Sequence, residues 1–232
     1  MVDLLRASST ICQALASGAI EVVPLLEVAD AVAAALSLGR SAVVLGGERS
    51  GRKIADFDLG NSPGEYTPDV VAGKRVLITT TNGTRALHHA RLARRVVVGA
   101  FVNLSAVAAS VRDAPRVDVL CAGTDGHETR EDILAAGAIV DALSRSENAA
   151  WHLSEGTAAA QAEWQRAVAA AQASGRSLSD QLAVELRDTP GGRNLLAIDM
   201  DADLLACSRI DALAVVPEFD RAAGHICLPR GN

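Results

Sequence analysis

Seven residues, Thr79-Thr80-Thr81-Asn82-Gly83-Thr84-Arg85, follow directly on the apolar run Val76-Leu77-Ile78. Threonine hydroxyls, a glycine that lets the backbone approach closely, and an arginine fork suit an anion held where a strand hands over to a helix. The bland alternative is that Asn82 or Thr81 only caps the following helix. Other polar clusters also follow apolar runs. Asp3 and Arg6 follow the first. Gly46-Gly47-Glu48-Arg49 follow Ala42–Leu45, and Ala122-Gly123-Thr124-Asp125-Gly126 follow Val117–Cys121. Glu131-Asp132 open the next helical stretch. Open α/β sheets collect ligands at the carboxyl ends of their strands, so this convergence says more than any one cluster.

The acids Asp3, Glu48, Asp58, Glu65, Glu131 and Asp132 form a pool from which one or two would serve a hard cation. Mg²⁺ prefers such a set, completed by substrate phosphate oxygens and water. Most carboxylates in a protein are only solvated charges, so no single one is assigned on type alone. Arginine matches phosphate or sulfonate oxygens, and Arg6, Arg49 and Arg85 are the candidates.

Several patterns point elsewhere and fail. Asp56-Phe57-Asp58 has the opening of a dehalogenase-type nucleophile motif, but Arg52-Lys53-Ile54-Ala55 before it is a poor strand. GGERSG lacks the GxxxxGK[ST] spacing of a P-loop, and no GxGxxG occurs. His88 and His89 are adjacent, so on a helix they diverge. His127 is better placed, with no partner to support a role. Trp151 and Trp164 read as packing residues. Cys121 reads as a small buried residue sooner than a catalytic thiol.

These residues need a scaffold. The chain has 232 residues, 49% hydrophobic and 22% charged, with few aromatics, so its core must be Val, Leu, Ile and Ala. The net charge of -6 argues against a nucleic-acid partner. No run reaches the length of a membrane span, and charges in MVDLLR come too early for a signal peptide. The four cysteines are scattered, which suits reduced thiols and a cytoplasmic location. The expected partner is a small anionic phosphorylated molecule, and a homo-oligomer stays open.

Short β-branched runs alternate with alanine-rich segments. The strands expected are 1–5, 19–23, 42–45, 75–79, 95–98, 117–121 and 212–216. The helices expected are 9–17, 26–38, 83–92, 104–113 and 131–145. This order predicts a single α/β domain over 1–232, a largely parallel sheet with helices on both faces. Extra helices belong to the C-terminal half, over about 156–206, where no strand signal occurs. About thirty residues rich in Gly, Asp, Asn, Ser and Pro separate the strands at 42–45 and 75–79. Loops of that length are often functional, and Asn61 and Ser62 lie in this one.

The strings GGERSGRKIADFDLGNSPGEYT, GKRVLITTTNGTRAL, CAGTDG with Glu131-Asp132 and AGA, the opening VDLLRASSTI, Gly192-Arg193-Asn194-Leu195 and CSRIDALAVVP resemble the ComB-type 2-phosphosulfolactate phosphatase family across nearly the whole chain. One departure is Asp56, where the family usually has Gly. The resemblance implies an α/β fold and a Mg²⁺-dependent phosphoric monoester hydrolase acting on a sulfonated three-carbon acid. The route in which the family is best known leads to coenzyme M. By position it implies catalytic roles among Asp3, Arg6, Glu48, Arg49 and Asp58. It implies substrate or phosphate contacts among Asn61, Ser62, Thr80, Thr81, Asn82, Gly83, Thr84 and Arg85. Glu65, Glu131 and Asp132 join the metal pool. A carboxylate nucleophile and a metal-activated water both stay open, as do phosphatases of other phospho-2-hydroxy acids and a non-catalytic anion binder.

Overall fold

A computed structural model describes residues 1–124, 126–145 and 151–229. Three parallel strands form its centre: β1 (Glu21–Pro24), β2 (Val43–Arg49) and β4 (Arg75–Thr79). Short β3 (Arg52–Lys53) folds back on β2, and a hairpin of β5 (Glu218–Asp220) and β6 (His225–Cys227) lies antiparallel beside β1. The strand order is β3-β2-β4-β1-β6-β5.

The sheet is α/β as expected, but mixed. Three further extended stretches continue it without forming regular strands. Val97 bridges Glu218 antiparallel, the Met1 amine donates to Val97 O at 2.9 Å, and Val2 bridges Cys121 in parallel. From β1 to residue 97 the direction reverses at each of three pairings. The stretches at 1–2, 97 and 121 therefore run opposite to β1, β2 and β4. The expected strands at 1–5, 95–98 and 117–121 are real neighbours but shorter, each held by a few bonds. The run at 212–216 forms no strand. Asp211 and Leu213 donate to the carbonyls of Phe101 and Val102 instead. The β5–β6 hairpin was not expected, because three-residue strands carry almost no periodicity.

Helices cover both faces. Side chains alternate along a strand, so Val44, Val76 and Ile78 pack with Ile11 and Leu15 of α1 (Ala7–Ala16). Val43, Leu45 and Leu77 pack with Ala31 and Ala35 of α2 (Val28–Leu38). Burial on both sides explains why the strands read as apolar runs. Then follow α3 (Pro68–Val71), α4 (Gly83–Ala90), α5 (Leu104–Val111) and α6 (Arg130–Ser144). The helical region matches its expectation: α7 (Glu155–Ser174), α8 (Leu178–Leu186), α9 (Pro190–Leu196) and α10 (Asp201–Cys207). Ser177 accepts the Asp180 N–H and starts α8. No helix among the described residues is long and apolar enough to cross a membrane.

Candidate active site

Asp3 stands where the first extended stretch turns into α1. Its carbonyl accepts the Ser8 N–H and its carboxylate accepts the Ala7 N–H at 3.3 Å, while Ser8 Oγ accepts the Asp3 N–H. This local network starts α1 earlier than the sequence pattern suggested. The N-terminus of α4 packs directly onto it. A Cβ on Gly83 would lie 2.6 Å from Asp3 Oδ2 and 2.6 Å from Ala7 Cβ, so only glycine fits at that approach.

The threonine turn is divided between structure and open function. Thr79 Oγ1 donates to Leu26 O and accepts Arg49 Nη2 at 3.0 Å. Thr80 Oγ1 accepts the Thr84 N–H at 3.2 Å, and Thr84 Oγ1 donates back to Thr80 O at 2.8 Å. The capping alternative, Asn82 or Thr81, is not what forms: Asn82 makes no side-chain cap, and the local bond to the Thr84 N–H comes from Thr80. The Thr81 N–H donates to Glu48 Oε1 at 2.7 Å, but its hydroxyl is buried with no partner. Arg85 is exposed on the first turn of α4.

Glu48 is 7% exposed at the end of β2 and also accepts the Gly51 N–H at 2.7 Å. It ties the β2–β3 turn to the threonine turn. Asp132 accepts the N–H groups of Leu4 at 2.8 Å and Gly123 at 2.9 Å. Glu131 Oε1 accepts the Gly191 N–H at 2.9 Å, and a Cβ on Gly191 would sit 2.3 Å from that oxygen. Glu131 Oε2 is buried and has no partner. Burial pushes the Asp3 carboxyl up to about 8, helped by the negative charges of Asp132, Glu48 and Glu131 and opposed by the Ala7 N–H. Burial likewise lifts Asp132 to about 6, with Glu131 adding and the Leu4 and Gly123 N–H groups opposing. Asp3, Glu48, Glu131 and Asp132 are thus four buried carboxylates whose charges bear on this part of the fold.

Arg6 does not relieve them. It is 3% exposed, pairs with Asp203 at 2.7 Å and donates its other Nη to Gly51 O at 2.6 Å. Ser62 donates its hydroxyl to the second oxygen of Asp203. The neighbouring Asn61 is buried, with its carbonyl accepting Thr10 Oγ1 and its Oδ1 lacking a partner. Asp203 escaped the sequence reading because Asp201-Ala202-Asp203 looks like an ordinary acidic first turn of a helix.

Two candidates have other employment. Asp58 pairs with Arg40 at 2.7 Å and accepts the Leu45 N–H at 2.8 Å. Against some desolvation, these partners hold its carboxyl below the usual range. Beside it Phe57 packs in the α2 layer. Glu65 accepts the Gly60 N–H at 2.5 Å within its own loop. Neither oxygen pair bonds another candidate residue. Asp56 has φ +63, in the left-handed region that glycine adopts most readily. Arg49 bonds Glu48 O, Leu26 O and Thr79, at the rim of the turn. His88, His89 and His127 are exposed, and burial raises the Cys121 thiol to about 12, which suits no thiolate chemistry. Asp125 lies outside the described residues.

Among the described residues no group of three or more His, Cys, Asp and Glu side chains is arranged to hold an ion. The donor set still fits Mg²⁺, which takes one or two carboxylates and fills its shell from phosphate and water. Asp3, raised by burial and then by neighbouring carboxylates, and the unpartnered oxygen of Glu131 are the donors that most need a cation.

The comparisons agree with the strings that first suggested a family. Residues 1–222 match the family model described as 2-phosphosulpholactate phosphatase. A probable 2-phosphosulfolactate phosphatase of Synechococcus sp. (strain RCC307) is 37% identical over 225 residues, 94% of this chain and 87% of that protein. One from Thermotoga petrophila is 32% identical over 217 residues, 94% of this chain and 86% of that protein. One from Caldanaerobacter subterraneus subsp. tengcongensis is 46% identical over 144 residues, 62% of this chain and 60% of that protein. Matched over almost its whole length, the chain belongs to the 2-phosphosulfolactate phosphatase family.

Proposed function

We propose that the protein is a Mg²⁺-dependent phosphomonoester hydrolase that converts 2-phosphosulfolactate and water to sulfolactate and phosphate. One observation carries the reading. Of the four buried side-chain polar atoms without a partner among the described residues, three belong to Thr81, Asn61 and Glu131. Buried polar atoms are seldom left unpaired, and each of these three lacks a partner that a ligand, an ion or water could supply.

The phosphoryl group rests against the Thr81 hydroxyl and the N-terminus of α4, where helix N–H groups favour an anion. Glu48 fixes that turn through the Thr81 N–H. Asp3, with one neighbour from Glu48, Glu131 and Asp132, holds Mg²⁺. The ion supplies neutralisation of phosphate charge and orientation of the displacement. Asn61 offers its free carboxamide oxygen, and Arg49 and Arg85 supply positive charge at the rim for the sulfonate and carboxylate. Asp58 stays with Arg40 and takes no part. A cytoplasmic route toward coenzyme M is where such a product would be used.

The test is phosphate release from synthetic 2-phosphosulfolactate with Mg²⁺, with chelator, and with Mg²⁺ restored. Release lost to chelator and recovered with Mg²⁺ is expected. No release with any divalent cation sinks the hydrolase reading. Preference for phospholactate or phosphoglycerate sinks the sulfonate specificity alone.

A further inference from the structure

Asp203 joins two arms of the site through one carboxylate. Its Oδ2 accepts Arg6 Nη1 at 2.7 Å, and Arg6 Nη2 reaches Gly51 O at 2.6 Å. The Gly51 N–H then donates to Glu48 Oε2, whose other oxygen holds the Thr81 N–H, both at 2.7 Å. Along this arm α10 is connected to the turn whose free hydroxyl faces the phosphate position. On the other arm, Oδ1 accepts the Ser62 hydroxyl, next to the buried and unpartnered Asn61. The long loop between β2 and β4 is thus held at Ser62 by Asp203 directly and at Gly51 through Arg6, and Asp203 is 4% exposed on a helix far along the chain.

We infer that Asp203 is a positioning residue, one that sets the Thr81 turn and Asn61 in place through Arg6 and Ser62 before substrate arrives. This rests on the proposed phosphatase reading. It also changes the part expected of Arg6. Both its terminal nitrogens are engaged within the fold, so it orders the site and leaves the second anionic group of the substrate to other cations. Preorganised networks of this kind matter because misplacement by about 1 Å, even from a remote change, costs on the order of 100-fold in rate.

A merely structural ion pair would change stability alone, so the test needs a control of that type. Asp141 on α6 is equally buried and is held by Arg145 and by Gln161 and Gln165 of α7. Asp203→Asn, Ser62→Ala and Asp141→Asn are compared by thermal melting, by kcat and KM, and by calorimetric binding of inorganic phosphate with Mg²⁺. Asp203→Asn is expected to lower kcat by about 100-fold and weaken phosphate binding while the protein remains folded at the assay temperature. Ser62→Ala keeps the Arg6 pair, so it carries the test if Asp203→Asn does not fold. It should raise KM and lower kcat by about 10-fold. Asp141→Asn should lower the melting temperature with kcat within about 2-fold of the parent. Parent-like kcat, KM and phosphate affinity in both Asp203→Asn and Ser62→Ala overturns the inference. If the parent protein releases no phosphate from the ester, the functional reading fails, and phosphate affinity still decides the role of Asp203.

Discussion

Helix α6 carries acids of two kinds. Glu131 and Asp132, in its first turn, face the Asp3 site, whereas Asp141, more than two turns later, faces α7. The α7 side is matched in charge. Glu163 is bonded by Arg130 at 2.6 Å and by Arg166, Arg130 also holds Glu185, and Arg145 holds Asp141 at 2.6 Å. Bonding to Arg130, with Arg166 adding, keeps the Glu163 carboxyl below its usual range. On the other side burial pushes Asp3 and Asp132 up, neighbouring carboxylates add to the rise and backbone N–H groups oppose it, while the buried Arg6 is given to Asp203. Acids matched by arginine hold a fold together. Crowded acids without a cation give up stability, and a bound cation is what restores it.

The sharpest way to break this comparison is to remove one acid from each side. Asp3→Asn should cut kcat by about 1,000-fold or more, since it takes away a metal donor under the phosphoryl position. Its metal-free form should be no less stable than the parent, because a destabilising buried charge has gone. Phosphate release is read beside urea unfolding. Substantial turnover in Asp3→Asn would remove Asp3 from the site.

Gly83→Ala comes next. The new Cβ would meet both Asp3 Oδ2 and Ala7 Cβ at 2.6 Å, so α4 or α1 must move. A displacement of that kind is expected to cost about 100-fold in kcat/KM and about 1–3 kcal/mol of stability. Steady-state kinetics and denaturant midpoints measure both. Unchanged kinetics would mean that the α4 terminus does not sit over the reacting group.

The two sides should also differ with pH. The folded Asp3 carboxyl is raised to about 8 from an ordinary value near 3.8, so the folded state holds this proton more tightly than the unfolded state. Its stabilising contribution is complete below about 3.8 and is lost as pH rises through about 8. Asp132, raised to about 6, acts in the same direction over a narrower window. Metal-free protein should therefore melt at lower temperature as pH rises from 5 to 8. Asp3→Asn should flatten that slope, and added Mg²⁺ should raise the melting temperature most at the alkaline end. Equal slopes in parent and Asp3→Asn would show that Asp3 does not carry the raised value.

Much of this site could be read in the sequence because its parts are local. Thr80, Thr81 and Gly83 lie at a strand-to-helix junction, Glu48 ends an apolar strand, and Glu131-Asp132 open a helix. Each cluster sits beside a strong periodic signal. What could not be read depends on partners remote in the chain. Asp203 looks like any acid in a helical first turn until Arg6, 197 positions away, is placed against it. Asp58 shares a string with Asn61 and Ser62, yet its carboxylate turns to Arg40, and nothing in the string reports that choice. The mixed sheet was hidden for a similar reason. A three-residue strand such as Glu218–Asp220 has its direction set by neighbours, and the long central strands suggested a parallel rule that the edge does not follow.

The smallest effect should come from the matched side, facing α7. Glu163→Gln removes the charge that Arg130 and Arg166 share, but Arg130 keeps Glu185 and stays 40% exposed to solvent. A partly solvated pair contributes at most about 1 kcal/mol, and the loss should shrink further with added salt. Nothing in this cluster bonds Asp3, Glu48 or Thr81, so kcat and KM should remain within about 2-fold of the parent. Denaturant midpoints at low and high salt, taken with phosphate-release kinetics, check both parts. A large loss of turnover here, with stability intact, would mean that α6 couples its two sides, and the division between matched and unmatched acids would fail.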